Sequence, residues 1–281
     1  FFVALYNFFT GVPFILSAHG GDVYSFKNNL LVSRLKKFAV NRSKMCTTNS
    51  NATRQVVKKI SDRSQIKTIP MGVDIKIFNP NRYNPALRES MGNPELLLLG
   101  VGRFAEKKGF SYLIRAMPEI IKQYPNTKLN LIGFGPQEKE LKRLTYDLGV
   151  QDFVLFPGSK TGIDLAKYFA TADIFIGPSI VTSSGDTEGL GVVFLEAMAS
   201  GTTVIASDVG GVSDILEDHV NGLMVQQKNP SAIAEKVLYL AKDPSLRKKL
   251  SDSGLQKIID RFTWESVAKK FLATYREIFD K

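Results

Sequence analysis

The sequence predicts an α/β protein built from two Rossmann-like units, the first of them incomplete. Three observations support this fold class. From Glu95 onward, continuous apolar strands alternate with amphipathic helices, which is typical of a parallel sheet covered by helices on both faces. A length of 281 residues accommodates two domains of ordinary size. A polar stretch, 81–94, is interrupted by Pro85 and Pro94 and is therefore interpreted as the linker between the units.

The second unit is predicted over 95–261. Its strands are Leu96 to Val101, Lys128 to Ile132, Phe153 to Phe156, Ile174 to Ile176, Thr203 to Ala206 and Leu223 to Val225. Its helices are Phe110 to Lys122, Gln137 to Leu148, Ile163 to Thr171, Val192 to Ser200 and Val212 to Leu216. Asn229-Pro230 and Asp243-Pro244 each begin a further helix, because proline is favoured in the first helical turn. A last amphipathic helix is predicted within 262–281.

The first unit is predicted over 1–80 and has three strands: Phe14 to Ser17, Lys44 to Thr48 and Ile66 to Ile69. A Rossmann-like unit usually has about six strands. Each strand-helix unit needs about 30 residues, so about 90 residues are expected to precede Phe1 in a complete enzyme. The apolar segment from Phe1 to Phe9 is then expected to be exposed and to favour self-association.

The counts of cysteine and histidine and the net charge exclude several classes of function. The single cysteine, Cys46, leaves no internal disulfide, fits a reducing cytoplasm and is expected to pack as a small hydrophobe. Two histidines cannot form a histidine-rich metal site, and we expect no metal and no cofactor. The net charge of +10 favours an anionic partner such as a nucleotide or an acidic membrane, while no motif of a nucleic-acid reader accompanies it.

The stretch from Gly185 to Gly211 carries the strongest signal for a ligand site. Gly189 and Gly191 form a loop that opens a short apolar helix, and the free N–H groups of its first turn favour an anion. Two carboxylates, Glu188 and Glu196, bracket this helix start. A carboxylate among apolar neighbours needs hydrogen-bond donors, which the adjacent hydroxyls of a ribose supply. The stretch therefore predicts a site for a phosphate and a sugar.

The same stretch resembles the donor-site signature of the retaining family 4 glycosyltransferases of GT-B fold. The resemblance rests on Glu188 and Glu196 with seven intervening residues, on Glu-Gly-Leu-Gly, on Leu-Glu-Ala-Met-Ala-Ser-Gly and on Val-Gly-Gly-Val-Ser-Asp. It implies two Rossmann-like domains of GT-B type with a C-terminal helix that crosses back to the first. It also implies a metal-independent hexosyltransferase that uses a nucleotide-diphosphate sugar of UDP or GDP type.

The resemblance assigns roles to individual residues. Gly102-Arg103 and Lys108 match the family's diphosphate clamp, because positive charges stabilise the leaving diphosphate. Glu188 is then expected to bind a sugar hydroxyl and Glu196 the ribose, while Gly189, Leu190 and Gly191 offer backbone donors. His19, in Ala-His-Gly-Gly-Asp, resembles the active-site histidine that faces the transferred sugar, and Asp22 is expected to orient its loop. Gly133, Gly135 and Phe156 are expected beside the nucleotide base.

Other functions remain open on the sequence. A nucleotide-sugar 2-epimerase shares the GT-B architecture, and a nucleotide-sugar binding module that is inactive alone, or that needs a partner chain, is a third reading. The acceptor is a saccharide or a lipid-linked molecule. Between 34 and 67, ten basic residues stand against Asp62 alone, so the choice is between a solvated helical face and peripheral contact with an anionic membrane. The expected location is the cytoplasm, or the inner face of its membrane.

Overall fold

Two parallel β-sheets organise the chain, which a computed structural model describes over residues 2–24, 29–61 and 65–279. The first sheet has the strand order β1-β2-β3, with Ile15 beside Met45 and Cys46 beside Ile66. Its elements are α1 (Phe2–Thr10), β1 (Ile15–Ala18), α2 (Gly21–Tyr24), α3 (Leu30–Arg42), β2 (Met45–Thr48), α4 (Asn51–Ile60) and β3 (Ile66–Thr68). Cys46 is fully buried in its core, as expected of a small hydrophobe.

The second sheet has six strands in the order β6-β5-β4-β7-β8-β9. Its strands are β4 (Leu96–Val101), β5 (Thr127–Ile132), β6 (Val154–Gly158), β7 (Ile174–Gly177), β8 (Thr203–Ser207) and β9 (Leu223–Val225). Its helices are α5 (Pro85–Glu89), α6 (Phe110–Gln123), α7 (Glu138–Asp147), α8 (Gly162–Thr171), α9 (Val192–Ala199), α10 (Pro230–Lys242), α11 (Pro244–Arg261) and α12 (Trp264–Phe279). Leu98 and Leu99 belong to core clusters on opposite faces, so β4 is buried from both sides.

The strand order reverses between β4 and β7, because β5 and β6 extend the sheet one way while β8 and β9 extend it the other. In an open α/β sheet, ligands bind outside the carboxyl ends of the strands at such a reversal. The loops that follow β4 and β7 carry the residues from Gly102 to Gly109 and from Pro178 to Gly191. The strand order therefore predicts a ligand site at the same loops that carry the sequence motifs.

Two local elements differ from those predicted. The segment 81–94, which is predicted as the linker between the units, contains a helix: α5 forms within it and packs on α8, and Arg88 donates to Asp173 at 2.9 Å. The predicted helix from Val212 to Leu216 is only a 3-10 turn over Val212–Asp214.

The last helix crosses back to the first unit, as predicted. Thr263 pairs with Val73 in a parallel bridge, and Lys67 Nζ lies 3.0 Å from Glu277 Oε2. At the other end of the chain, α1 exposes large apolar side chains, with Phe2 82% and Phe9 76% accessible. The self-association expected of this segment stays a prediction. Over the described residues, every helix is too short or too polar to cross a bilayer.

Candidate functional site

The loops after β4 and β7 touch each other through their backbones. The loop after β4 turns through Glu106–Lys108 and ends at Gly109, whose φ of +65° lies in the left-handed region. A Cβ at Gly109 would lie 2.0 Å from the carbonyl oxygen of Pro178, the first residue after β7. A side chain there would separate the two loops, so glycine is required for their contact.

Lys108 and two glutamates form the charged centre of this contact. Lys108 Nζ lies 2.5 Å from Glu188 Oε2, and both side chains are more than four-fifths buried. Burial raises the pKa of Glu196 to about 7, and the charge of Lys108 opposes that rise. The structure therefore brings together three residues that the sequence assigned to the donor site.

Backbone amides lie beside these charges. They belong to the second sheet's side of the cleft, which is the space between the loops of the two sheets. Gly191, at a φ of +84°, precedes the first turn of α9, and no side chain among the described residues caps that turn. Its N–H groups are therefore available to an anion. The carbonyl of Glu188 accepts a hydrogen bond from Gly211 N at 3.2 Å, and a Cβ at Gly210 would lie 1.9 Å from the same oxygen. These contacts fix the backbone that carries Glu188.

The first sheet contributes the loop that follows β1. His19 is exposed, and its backbone N–H donates to both carboxylate oxygens of Asp22, at 3.0 and 3.1 Å. Its carbonyl accepts from Asn49 Nδ2 at 3.0 Å. Gly189 lies directly against this loop, since a Cβ there would come within 3.0 Å of the His19 carbonyl oxygen. The His19 loop and the Glu188 loop thus face each other across the cleft.

Arg103 lies at a cavity of about 180 Å³ at the ends of β4, β5 and β6. Its lining includes Gly133, Ser159 and Lys160. The Arg103 side chain is exposed, and no carboxylate of the described residues pairs with it. A Cβ at Gly133 would lie 1.9 Å from the Gly102 carbonyl oxygen, which keeps the strand ends close.

Gly135 and Phe156 lie outside the lining of this cavity. Gly135 lies against the backbone of Phe104, since a Cβ there would come within 2.5 Å of the Phe104 oxygen. The Phe156 ring packs edge to face on Phe104, with Lys142 Nζ 5.5 Å from its centroid. The expected contact between Phe156 and a base stays a prediction, and the structure brings Ser159 and Lys160 to the cavity in its place.

One contact between the two units was not predicted from the sequence. The carboxylate of Asp214, in the turn after β8, accepts from the backbone N–H of Asn51 at 2.5 Å and from its side-chain amide at 3.0 Å. Asn51 is the first residue of α4, so a residue of the second unit caps a helix of the first. Ser50 lies beside this contact, against Gly211. The available signals were Ser50, a residue type that favours the start of a helix, and the Asp that ends Val-Gly-Gly-Val-Ser-Asp.

A search of the described residues finds no group of three or more His, Cys, Asp or Glu side chains arranged to hold a metal ion. The charges of the cleft are instead those of Arg103, Lys108 and the two glutamates. Such a cleft suits an anionic ligand that also carries hydroxyl groups.

Comparisons with known proteins show the family of this chain. The model of glycosyl transferases group 1 matches residues 87–257. A glycosyltransferase of Methanocaldococcus jannaschii is 31% identical over 280 residues, which cover 94% of this chain and 69% of that protein. A GDP-mannose-dependent alpha-(1-6)-phosphatidylinositol monomannoside mannosyltransferase of Mycolicibacterium smegmatis is 30% identical, with 90% and 67% covered.

Solved structures match nearly the whole chain. The crystal structure of Anabaena HepE in complex with UDP superposes with a TM-score of 0.85 at 21% identity, covering 98% of this chain and 75% of that one. Sucrose-phosphate synthase of Thermosynechococcus elongatus superposes with a TM-score of 0.80 at 26% identity, covering 95% and 68%. The predicted fold class is confirmed. The chain belongs to the glycosyl transferases group 1 family and is a glycosyltransferase of GT-B fold.

Proposed function

We propose that this chain transfers a sugar, with retention of its anomeric configuration and without a metal ion, from a nucleotide diphosphate to an acceptor hydroxyl. The observation that carries the proposal is the Lys108–Glu188 pair beside Glu196, at the reversal of the strand order. The family 4 assignment belongs to the same proposal and rests on the signature around Glu188 and Glu196.

The chemistry follows from where negative charge accumulates. The bond between the anomeric carbon and the diphosphate oxygen breaks and negative charge develops on the diphosphate. The acceptor oxygen bonds to the anomeric carbon, and its proton passes to the leaving diphosphate. Arg103, Lys108 and the amides at the start of α9 offer positive groups for that charge, and they act most strongly where it develops. Glu196 accepts bonds from the ribose, Glu188 holds a sugar hydroxyl, and His19 faces the transferred sugar across the cleft.

The donor is proposed to be of UDP or GDP type. Structures of HepE hold UDP, or UDP and glucose, and the mycolicibacterial relative is named for its dependence on GDP-mannose. The acceptor is proposed to be a saccharide or a lipid-linked molecule, as that relative's name suggests for itself. These names favour transfer over the epimerase alternative. The sequence has one cysteine, the buried Cys46, which supports a reducing, cytoplasmic compartment.

The decisive experiment removes Arg103. Because its guanidinium is exposed and has no carboxylate partner among the described residues, Arg103→Ala leaves the fold intact. We expect the turnover number to fall by about 100-fold or more, as for loss of one group that stabilises transition-state charge. Arg115→Ala, which removes an exposed arginine from the middle of α6, is the matched control. Wild-type turnover of Arg103→Ala would contradict the proposed clamp.

Metal independence has its own test. The proposed charge neutralisation uses Arg103, Lys108 and backbone amides, so turnover should persist at its full rate in excess chelator. Initial rates are measured with chelator and then with added manganese or magnesium. A strict requirement for either ion would overturn this part of the proposal and leave the transfer reaction itself standing.

A further inference from the structure

A basic cavity lies between α3 and α4, away from the donor loops. Its volume is about 510 Å³. Arg34, Lys37 and Lys59 stand around it, and Val56 and Ile60 form part of its wall. Within the described part of the chain, none of these three basic side chains forms an ion pair. The cavity therefore combines uncompensated positive charge with an apolar wall.

A second, apolar cavity of about 300 Å³ adjoins the first. The two share Val23, Lys36 and Ile60 in their linings, so they are contiguous. The lining of the second cavity is mostly aliphatic and includes Leu16, Val32, Leu35, Ala39 and Val40. Lys36 is committed elsewhere, because its Nζ donates to the carbonyl of Val23 at 3.3 Å. An apolar hollow of this size inside a small unit calls for an apolar occupant.

The segment from α3 to α4 carries side-chain charge of one sign, and Asp22, at the apolar cavity, is the one acidic side chain in the described lining of either cavity. Residues 29–61 contain eight basic side chains and no acidic one: Arg34, Lys36, Lys37, Arg42, Lys44, Arg54, Lys58 and Lys59. Arg42 is bonded to Asn7 and lies over the ring of Phe8, which leaves Arg34, Lys37 and Lys59 at the rim. Charge of one sign beside an apolar pocket is complementary to a molecule with an anionic head and a hydrocarbon tail.

We propose that these two cavities bind one anionic lipid, with its headgroup among Arg34, Lys37 and Lys59 and an acyl chain in the apolar cavity. A free nucleotide or inorganic phosphate would leave the apolar cavity unfilled, and a neutral detergent would leave the charges unpaired. The lipid site is separate from the donor site and does not depend on the proposed reaction. It would hold the first unit at a membrane surface that carries anionic lipids.

The test is calorimetric titration of the whole chain with dodecyl phosphate below its micellar concentration. Dodecyl maltoside and inorganic phosphate are the comparison ligands, because each keeps one half of the required chemistry. We expect dodecyl phosphate to bind at least tenfold more tightly than either. Equal binding of dodecyl maltoside would show an unselective apolar pocket, and equal binding of phosphate would show a simple anion site. Either result would overturn the proposal.

Variants locate the site. Lys37→Gln together with Lys59→Gln should weaken binding of dodecyl phosphate about 25-fold, since each lost charge corresponds to about a fivefold change in affinity. Lys58→Gln is the matched control, because Lys58 is an exposed neighbour on α4 outside the cavity lining, and it should leave binding within about twofold. Equal losses in the double variant and the control would overturn the proposed location.

A larger side chain in the apolar cavity tests whether the acyl chain binds there. Ala39→Leu should weaken dodecyl phosphate by tenfold or more and leave the donor site untouched. Should Ala39→Leu fail to fold, Val32→Asn, on the half-buried wall, makes the same test. Sedimentation with vesicles that contain phosphatidylglycerol, against vesicles of phosphatidylcholine alone, then extends the result to a bilayer. Binding to both vesicle types alike, or to neither, would contradict the lipid site.

Discussion

At the scale of single residues, Glu196 has the most unusual environment in the cleft. It lies in the apolar helix α9, and loss of hydration raises its pKa from 4.5 to about 7, while the nearby Lys108 partly offsets the rise. Near neutral pH the side chain is therefore poised between its protonated and ionised forms. Ribose hydroxyls would donate to the ionised form and so favour it.

Glu196 makes stability depend on pH. Between pH 4.5 and 7 the folded protein holds a proton on Glu196 that the unfolded chain releases, so the free energy of unfolding falls as pH rises through this window. The decrease approaches about 3 kcal/mol, at about 1.4 kcal/mol for each pH unit of displacement. Glu196→Gln removes this contribution. Urea denaturation of both proteins from pH 4 to 8 measures the difference.

The Glu196→Gln comparison isolates one group, because all other titrating side chains are common to the two proteins. Parallel stability profiles for the wild type and the variant would contradict the displaced pKa of Glu196. Affinity for UDP or GDP should also rise with pH through about 7 more steeply in the wild type than in the variant, since only the wild type gains a carboxylate that can accept from the ribose, while ionisation of the diphosphate is common to both.

At the scale of elements, the cap that Asp214 provides to α4 joins the two units. The carboxylate accepts two hydrogen bonds from Asn51 and lies at the positive end of the helix dipole. The neighbouring contacts, of Gly211 with Ser50 and of Gly189 with the His19 loop, lie on the same side of the cleft. Asp214 therefore helps to hold the first unit in register with the donor site.

Asp214→Ala should separate turnover from donor binding. Loss of a helix cap costs about 1 kcal/mol, which is too little to unfold the chain. The donor site lies on the second unit and should keep its affinity, whereas turnover should fall about tenfold because the first unit, which carries the His19 loop, is held less firmly against the second. Kinetic constants and donor affinity are measured beside those of Asp252→Ala, an exposed acidic side chain on α11. An equal loss of donor affinity and turnover would point to local unfolding.

Elements with a strong local signal could be predicted from the sequence. The strands Leu96–Val101 and Leu223–Val225 have the predicted bounds, because apolar runs that are buried on both faces are unambiguous. Helix α5 was missed, since Pro85 was treated as a break. The structure shows instead Asn84 as the cap and Pro85 at the first turn, the same signal that correctly placed α10 at Asn229-Pro230.

The site was predictable only where its residues form local motifs. The residue types and positions of Lys108, Glu188 and Glu196 stand out in the chain, but their proximity depends on the order of the strands. Lys108 and Glu188 are 80 positions apart, and Asn51 and Asp214 are 163 apart. No local pattern encodes such a pairing, because it depends on how the sheets are placed relative to each other. For the same reason the cavity between α3 and α4 had no signature beyond its charge.

At the scale of the whole molecule, the described residues of the two units meet at several places. One is the cleft, where the loops of both sheets meet. Another is the crossing of the C-terminal helix, where Val73 N donates to Phe262 O at 2.8 Å and Trp264 begins α12. A Cβ at Gly72 would lie 2.8 Å from the Trp264 ring and 2.9 Å from its Cα. Glycine at this position therefore lets the helix start approach the first unit.

Gly72→Ala should displace the start of α12. The added methyl group meets both ring and backbone of Trp264, so the indole must move toward solvent. The fold of each sheet should persist, since Gly72 lies outside all strands. We expect an unchanged far-ultraviolet circular dichroism spectrum and a lower melting temperature than that of Gly21→Ala, whose added Cβ meets nothing within 4 Å and whose φ, like that of Gly72, lies outside the left-handed region. Equal melting temperatures would contradict the close contact.

Because of that contact, the fluorescence of Trp264 depends on the position of α12. Trp264 is the only tryptophan among 281 residues, and its indole is half exposed at the junction of the two units. Its emission maximum therefore reports the docking of α12, whereas the circular dichroism of the helices reports the rest of the fold. Release of the crossing helix shifts the emission to longer wavelength without any attached dye. The fluorescence of Trp264 thus shows, in real time, whether α12 stays packed on the first unit while ligands bind.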